Sequence, residues 1–289
     1  MRFMSSSPSP TIGVLGLGII GGIWARHYHT AGILAGAWNR TAQPDFPQWQ
    51  DNAAAVAHAA DIVQICVADP IAVDSVLSQI LPELNDTKTV IQSSTIDPES
   101  SDKFRTLVLA TGARYLECPF TGSKPAAVAK QTVYYQGGDA ALIAELEPVL
   151  SLVSAHRIHI GDHRQACALK LAMNLNVSAQ MQGFSEAIAI CRRAGISDQV
   201  FESAASRNTT YSGLLQIKWP QVRDNDYSPF FSIKHMHKDM RLATGMAGTS
   251  DLELLALVKA RLAAAEAAGM GDEDFAALFK LIDPRTPAA

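Results

Sequence analysis

The stretch TIGVLGLGIIG at residues 11–21 decides the fold. Apolar and β-branched residues open it as in a buried strand, and glycines spaced G-x-G-x-x-G follow before a helical segment begins. Glycines at this spacing permit a tight turn, close approach of the backbone to a pyrophosphate, and close packing of helix on strand. A glycine-rich turn without a ligand has the same composition, but the strand–turn–helix context favours a dinucleotide site. The candidate cofactor residues of the turn are Gly16, Leu17, Gly18, Ile19, Ile20 and Gly21.

Short β-branched runs alternate with helical stretches over residues 11–160, which predicts parallel strands joined by crossover helices. Beyond about residue 162 the strands stop, and residues 164–194 form one long helical pattern that ends before Gly195. We therefore expect an α/β Rossmann-type domain over 1–162 and an all-α domain over 163–289, joined by that long helix. The predicted strands are 11–16, 32–39, 61–67, 88–94, 114–120 and 131–137.

Composition limits the partners that this chain can have. Its 289 residues carry a formal net charge of −4, and Lys and Arg are spread along the chain rather than clustered as on a nucleic-acid surface. No stretch is long and apolar enough to span a membrane. The four cysteines are far apart among apolar neighbours, which is typical of reduced core thiols. We expect a cytoplasmic protein with no nucleic-acid or membrane partner.

The end of the second predicted strand selects the cofactor. NAD-binding proteins usually place an acidic residue there for the ribose hydroxyls, whereas this chain has Asn39, Arg40 and Thr41. Asn39 carries no charge to repel a 2′-phosphate, Arg40 can pair with that phosphate, and Thr41 can donate a hydrogen bond to it. These residues favour NADP(H). The alternative is that Arg40 is an ordinary solvated arginine.

Two more strand ends belong to the same edge of the sheet. Val67 and Ala68 close the third predicted strand and Thr95 follows the fourth, with Asp69 and Asp97 as N-caps that precede prolines. Ligands of doubly wound sheets bind at the carboxyl ends of strands, so the first three residues are candidate cofactor contacts. Ordinary capped loops are the alternative interpretation.

The segment CALKLAMNLN at 167–176 places Lys170 and Asn174 four residues apart, on one face of the long helix. An ammonium group among apolar residues is costly to bury without a partner, which suggests a function for Lys170. The alternative is a lysine whose stem lies along the helix while its head reaches water.

Histidines offer a metal site little support. His235 and His237 are two apart, so they face different directions on a helix, and no carboxylate or cysteine partners accompany them at suitable spacing. We expect no metal.

Together these motifs resemble the β-hydroxyacid dehydrogenases, the group that includes 3-hydroxyisobutyrate dehydrogenase and the glyoxylate and succinic semialdehyde reductases. The resemblance rests on five motifs in order, and it covers about residues 11–280. GSK at 122–124 and SPFFSIKHMHKDMRLA at 228–243 incline toward the glyoxylate/succinic semialdehyde branch. The motifs are GLGIIG at 16–21, S-T-x-x-P at 94–98, P-x-[ST]-G-S at 119–123, K-x-x-x-N at 170–174 and K-D-M-x-L-A at 238–243.

The resemblance implies a role for each matching residue. Lys170 is the catalytic lysine, which donates a hydrogen bond and then a proton to the substrate oxygen, and Asn174 orients the substrate or the lysine. Lys238, with Asp239 beside it, contacts the cofactor or the water network of the active site. The substrate-binding residues that it implies are Thr121, Gly122, Ser123 and Phe231.

This chain departs from the family pattern at two places. Where D-A-P-V-S-G is usual, it has Glu117, Cys118, Phe120 and Thr121, which affects the choice of substrate more than the reaction. Before Lys170, His163 and Arg164 replace a glycine-containing run, and they either crowd the cofactor or hold its phosphates.

We thus expect an NADPH-dependent oxidoreductase that transfers a hydride between nicotinamide and a small aldehyde or keto acid. Its relatives assemble through their helical domains, so a homo-oligomer, a dimer or a tetramer, is expected. An NADPH-dependent imine reductase is one alternative, although those enzymes generally lack a lysine at position 170. A non-catalytic NADP-binding regulatory protein is another.

Overall fold

The structure, a computed structural model, describes residues 10–283. It divides the chain into two compact units, of which the first ends at Lys170 and the second begins at Leu171.

The first unit contains one eight-stranded sheet in the order β2-β1-β3-β4-β5-β7-β6, with β8 beside β7. The first five strands along this order are all parallel, so their carboxyl ends meet at one edge. The strands are β1 (Ile12–Leu15), β2 (Leu34–Trp38), β3 (Ile62–Ile65), β4 (Thr89–Gln92), β5 (Arg114–Glu117), β6 (Phe120–Thr121), β7 (Thr132–Gly137) and β8 (Ser154–Gly161).

Helices connect these strands, and side-chain caps mark several of their starts. Asp69 and Asp97 each accept a hydrogen bond from a backbone N–H three residues on, and a proline follows each, as predicted. Parallel strands joined by such helices form a Rossmann-type domain, which confirms the predicted fold class. The helices of this unit are α1 (Gly21–Thr30), α2 (Ala53–Ala59), α3 (Pro70–Ile80), α4 (Pro98–Leu109), α5 (Lys124–Val128) and α6 (Ala140–Leu150).

The sheet differs from the prediction beyond β5. The strand expected over 114–120 breaks after Glu117, and β7 runs antiparallel to both β5 and β6. The expectation of parallel pairing throughout is therefore wrong for β7, because the connection through the five-residue α5 is too short for a parallel crossover. Strand β8 was not predicted, since its histidines and arginine hide the apolar alternation of a strand.

Apolar side chains cover both faces of this sheet. One cluster includes Ile12, Val14 and Trp24, and the other includes Leu15 and Ile65. Burial of the strands on both faces is typical of a parallel sheet between helical layers. It leaves the carboxyl edge as the place for a ligand.

The second unit is helical. Helix α7 (His163–Arg193) begins in the first unit and continues into the second, and Gly195 follows its end with φ +77°, as predicted for a C′ glycine. Buried residues such as Met181, Trp219 and Phe279 form the core of this unit. The remaining helices are α8 (Asp198–Ala205), α9 (Gly213–Asp224), α10 (Ile233–Gly245) and α11 (Glu253–Ala265), with a π-helical segment at Glu266–Met270 and a 3₁₀ helix at Phe275–Leu281. Within residues 10–283, no helix combines the length and the hydropathy needed to cross a membrane.

Candidate active site

The glycine-rich turn has the shape of a cradle for a phosphate. A Cβ on Gly16, whose φ is +104°, would lie 2.2 Å from the Cys66 carbonyl oxygen, and one on Gly21 would lie 2.0 Å from the Gly16 oxygen. A Cβ on Gly18 would meet nothing within 4 Å. The first and third glycines are thus required by the protein itself, whereas Gly18 borders open space. Because α1 begins at Gly21, its N-terminal dipole points to the same place, which fits a dinucleotide pyrophosphate.

Asn39 holds this turn against the end of β2. Its Oδ1 accepts a hydrogen bond of 3.1 Å from the Leu17 N–H, and its Nδ2 donates one of 3.0 Å to the Thr41 carbonyl oxygen. The sequence had suggested only that Asn39 would not repel a phosphate. Its positioning role depends on a residue 22 positions away, which sequence reasoning did not identify.

Arg40 and Thr41 follow Asn39 with exposed side chains. Among residues 10–283, no salt bridge or hydrogen bond engages the Arg40 guanidinium. A cation therefore stands at the carboxyl end of β2 without an internal partner, where a 2′-phosphate would be placed by a cofactor lying across this edge.

The ends of β3 and β4 meet the glycine turn at the same edge. The Val67 N–H donates a 2.8 Å hydrogen bond to Oγ of Ser94, which ties the two loops together. Ala68 is exposed and Thr95 is half-buried. Adjacent parallel strands β1, β3 and β4 thus bring these cofactor candidates to one edge of the first unit.

Lys170 lies near the start of α7 and is only 8% exposed. Its ammonium nitrogen is 5.7 Å from the centre of the Phe120 ring, a cation–π contact with a residue of β6. Gly122 follows with φ +111°, and a Cβ there would lie 3.2 Å from Cα of Thr132. The lysine therefore belongs to the same unit as the segment that carries Thr121, Gly122 and Ser123.

Thr121 and Ser123 bracket that glycine. The Thr121 hydroxyl is hydrogen-bonded to the phenol of Tyr135, and Ser123 is the N-cap of α5, although its side chain makes no capping hydrogen bond. A loop with a left-handed glycine and two flanking hydroxyls can present several donors to a carboxylate.

Arg164 is engaged by α4. It forms salt bridges with Glu99, at 2.9 Å, and with Asp102, and His163 Nε2 lies 2.6 Å from Asp102 Oδ1. The hydrogen bond with His163, together with Arg164, holds the pKa of Asp102 below its usual value. Of the two roles left open by the sequence for Arg164, this geometry favours a structural one, because its charge is already paired.

In the second unit, Asn174 is joined to the K-D pair of α10. Its Nδ2 donates a 2.5 Å hydrogen bond to Oδ2 of Asp239, and the Lys238 ammonium lies 2.7 Å from Oδ1 of the same carboxylate. Asp239 is fully buried and Asn174 is 4% exposed. The sequence had placed Lys238 alone among the site candidates, so the contact between Asp239 and Asn174 is an addition made by the structure.

Phe231 is half-buried at the edge of the core of the second unit. Its backbone N–H donates a 3.1 Å hydrogen bond to Oδ2 of Asp274, and Oδ1 of Asp274 lies 2.6 Å from the ammonium of Lys218. Both members of this pair are at most 3% exposed, and burial lowers the pKa of Lys218. Sequence reasoning missed this ion pair, because no local pattern signals that two residues 56 apart will meet.

No three His, Cys, Asp or Glu side chains within the described residues come together as a metal site would require.

Comparisons with known proteins agree with this arrangement. The family model described as the NAD binding domain of 6-phosphogluconate dehydrogenase matches residues 11–161. A second model, described as NAD-binding of NADP-dependent 3-hydroxyisobutyrate dehydrogenase, matches residues 165–282.

Individual relatives match nearly the whole chain. Glyoxylate/succinic semialdehyde reductase 1 of Arabidopsis thaliana is 28% identical over 282 residues, which are 94% of this chain and 98% of the relative. The crystal structure of 3-hydroxyisobutyrate dehydrogenase from Salmonella typhimurium has a TM-score of 0.83 at 24% identity and covers 94% of this chain and 100% of its own. An imine reductase from Pseudomonas sp. covers 94% and 99% of the two chains at 21% identity, with a lower TM-score of 0.62. The matches confirm the resemblance found in the sequence: the chain belongs to the β-hydroxyacid dehydrogenase family and is an NAD(P)-dependent oxidoreductase.

Proposed function

We propose that this protein uses NADPH to reduce a small aldehyde or keto acid, with Lys170 as the proton donor. The observation that carries the proposal is a lysine that is 8% exposed and lies beside the Phe120–Ser123 segment. A lysine in such a place is costly to the fold, so its retention is best explained by chemistry.

The proposed cofactor site consists of the glycine-rich turn and the strand ends beside it. The N–H groups near the start of α1 would hold the pyrophosphate, Arg40 and Thr41 would hold the 2′-phosphate, and Val67, Ala68 and Thr95 would line the rest of the edge. Lys238 is proposed to contact the cofactor or its water network from the second unit. A bound reduced nicotinamide supplies the hydride.

Each residue of the proposed substrate site has a defined task. The Lys170 ammonium donates a hydrogen bond to the carbonyl oxygen, stabilises the negative charge that grows there, and then transfers its proton. Thr121, Gly122 and Ser123 bind the carboxylate of the substrate. Asn174, held by Asp239, orients the substrate or the lysine.

The substrate class follows from this chemistry and from the relatives. Glyoxylate and succinic semialdehyde appear in the name of the Arabidopsis relative, and both are short carbonyl compounds with one carboxylate. Phe120 narrows the site and Phe231 is proposed to line it, which favours a small substrate over a sugar acid.

We also propose that residues 1–162 serve cofactor binding, and that residues 163–289 serve substrate binding and assembly into a homodimer or homotetramer. Exposed leucines on α11, Leu254 at 53% and Leu257 at 47%, support self-association. All four cysteines are free thiols, which supports a reducing, cytoplasmic location.

A panel of short aldehydes, keto acids, hydroxy acids and cyclic imines, run with both nicotinamides, tests the proposal by the absorbance of NADPH. Turnover of glyoxylate or succinic semialdehyde that collapses in Lys170→Ala, while NADPH still binds, is the expected result. Turnover of imines alone would establish the imine reductase alternative. NADPH binding without turnover across the panel would favour a regulatory protein.

A further inference from the structure

Glu117 is a fully buried carboxyl group on which four elements of the first unit converge. Its Oε2 accepts hydrogen bonds of 2.7 Å from the Tyr115 hydroxyl and 2.6 Å from the Ser101 hydroxyl. Its Oε1 accepts one of 2.8 Å from Nε2 of Gln92, and the Cys167 thiol also bonds to the carboxyl. These partners lie on β5, α4, β4 and α7.

Two of these partners lead to the proposed active site. Cys167 is three residues before Lys170 on α7, so it shares a helical face with the lysine. Gln92 accepts a 2.6 Å hydrogen bond from the Ser94 N–H and donates one of 2.9 Å to the Ser94 carbonyl oxygen. The Ser94 hydroxyl in turn accepts the Val67 N–H. One carboxyl group therefore contacts both the helix of Lys170 and the cofactor edge.

The carboxyl group is balanced between its charged and neutral forms. Burial raises the pKa of Glu117 to about 7, although hydrogen bonds from Ser101, Tyr115, Gln92 and Cys167 oppose this. Burial also keeps the pKa values of Tyr115 and Cys167 well above their usual range, so both remain protonated donors. None of the groups that bond this carboxyl from β4, β5, α4 or α7 within the described residues is basic. Ionised, Glu117 can accept from all four partners, whereas protonated it must compete with them as a donor.

We propose that Glu117 is a positioning residue of the reaction: by accepting from Cys167 and Gln92 together, its carboxylate fixes Lys170 relative to the cofactor edge. The inference rests on the proposed function, because it assumes that Lys170 is the proton donor. A purely structural glutamate would influence the stability of the fold without a specific effect on turnover.

Glu117→Gln keeps the volume of the side chain and imitates its neutral form. With NADPH and glyoxylate or succinic semialdehyde at saturation, we expect the variant to have a kcat about tenfold below wild type at pH 8.5. The ratio of the two kcat values should approach one at pH 5.5, with a midpoint near pH 7, while KM for NADPH stays within about twofold. Dividing the two profiles removes ionisations that both proteins share. A ratio that does not vary with pH would overturn the proposal.

Glu145→Gln is the matched control. Glu145 is an exposed carboxylate of the same unit, 2.5 Å from Arg114, with no link to Lys170. Its loss should leave kcat unchanged at every pH.

The link to α7 is tested separately by Cys167→Ala and Cys167→Ser. The alanine variant loses the donor to Glu117, and we expect its kcat to fall severalfold and the amides of the first turns of α7 to exchange with deuterium severalfold faster. Serine keeps a donor and should recover at least half of each change. Equal behaviour of the two variants would contradict the link, even if Glu117→Gln fails to fold.

Deuterium exchange needs no turnover, so it separates the two hypotheses. If wild type reduces no carbonyl compound but the alanine and serine variants differ in exchange as expected, the proposed function fails and the positioning of the helix by Glu117 stands. If turnover is present and exchange does not respond, only the positioning inference fails.

Discussion

The side-chain amide of Asn174 donates a 2.5 Å hydrogen bond to the carboxylate of Asp239, 65 residues later in the chain. The carboxylate is fully buried, and its second oxygen is 2.7 Å from the ammonium of Lys238. Because Asp239 accepts from Asn174, the amide oxygen of Asn174 is oriented away from it. This oxygen is then available to accept a hydrogen bond from a substrate hydroxyl or from a neighbouring donor.

Asp239→Asn should damage both activity and stability. It removes the charge that holds Lys238 and offers a donor where Asn174 also donates, so we expect about 2 kcal/mol of lost stability and a kcat at least tenfold lower. Urea unfolding and steady-state kinetics measure the two effects. The exposed pair of Lys234 and Asp272 on the same helix serves as the control, since Asp272→Asn should change neither. Wild-type kcat in Asp239→Asn would contradict the assigned role.

Lys170→Met should lower kcat by about 10² to 10⁴-fold, because the variant keeps the apolar stem and loses the proton donor. NADPH affinity, measured by fluorescence titration, should stay within about threefold of wild type. Lys103→Met is a close control: the Lys103 ammonium is also 5.7 Å from a phenylalanine ring, that of Phe104, but it is exposed. Equal losses in the two variants would show that Lys170 has no special part in the reaction.

Wild type should prefer NADPH over NADH by at least tenfold in kcat/KM, which corresponds to about 1.4 kcal/mol of discrimination. Arg40→Ala should abolish most of this preference by weakening NADPH alone. Arg105→Ala, which removes another exposed arginine, should leave the ratio unaltered. If the two cofactors serve wild type equally well, Arg40 does not recognise the 2′-phosphate.

The glycines of the turn should separate folding from cofactor binding. In Gly18→Ala the new methyl group has open space, so the melting temperature should stay near that of wild type while NADPH affinity falls at least tenfold. Gly16→Ala places a Cβ against the Cys66 carbonyl at a positive φ, so about 2 kcal/mol of stability should be lost. Calorimetry and NADPH titration of both variants provide the check. Unchanged NADPH affinity in Gly18→Ala would show that the pyrophosphate does not lie against this turn.

Glu117 should make the stability of the protein dependent on pH. Its pKa is raised from 4.5 to about 7 in the folded state, chiefly by burial, so between these values the folded chain binds more protons than the unfolded chain. Its contribution to the free energy of unfolding therefore falls as pH rises from about 4.5 through 7, by up to about 3 kcal/mol. Glu117→Gln removes this loss and should be more stable than wild type at pH 8, by an amount that shrinks toward pH 5. Urea unfolding across this range tests the sign, and a stability difference independent of pH would exclude ionisation of Glu117 as its cause.

Much of the first unit was predictable because its signals are local. A strand followed by glycines and a helix, and N-caps such as Asp69 and Asp97, depend on residues a few positions apart. The antiparallel return of β7 was not predicted, because it depends on how the short α5 redirects the chain. The unpredicted β8 shows the same limit, since its alternation is obscured by polar residues.

Sequence alone determined that this chain forms a Rossmann-type domain followed by a helical one, that it belongs to an oxidoreductase family, and which residues are candidates for its site. These conclusions rest on periodicity, glycine spacing and the order of motifs, all of which are written along the chain. Only the tertiary structure decided the partners of those residues: Asn39 with Leu17, Arg164 with Asp102, and Asn174 with Asp239. The physical reason is that burial and packing bring together groups that are 22 to 65 residues apart, and a buried polar group must bond to whichever partner the fold places beside it.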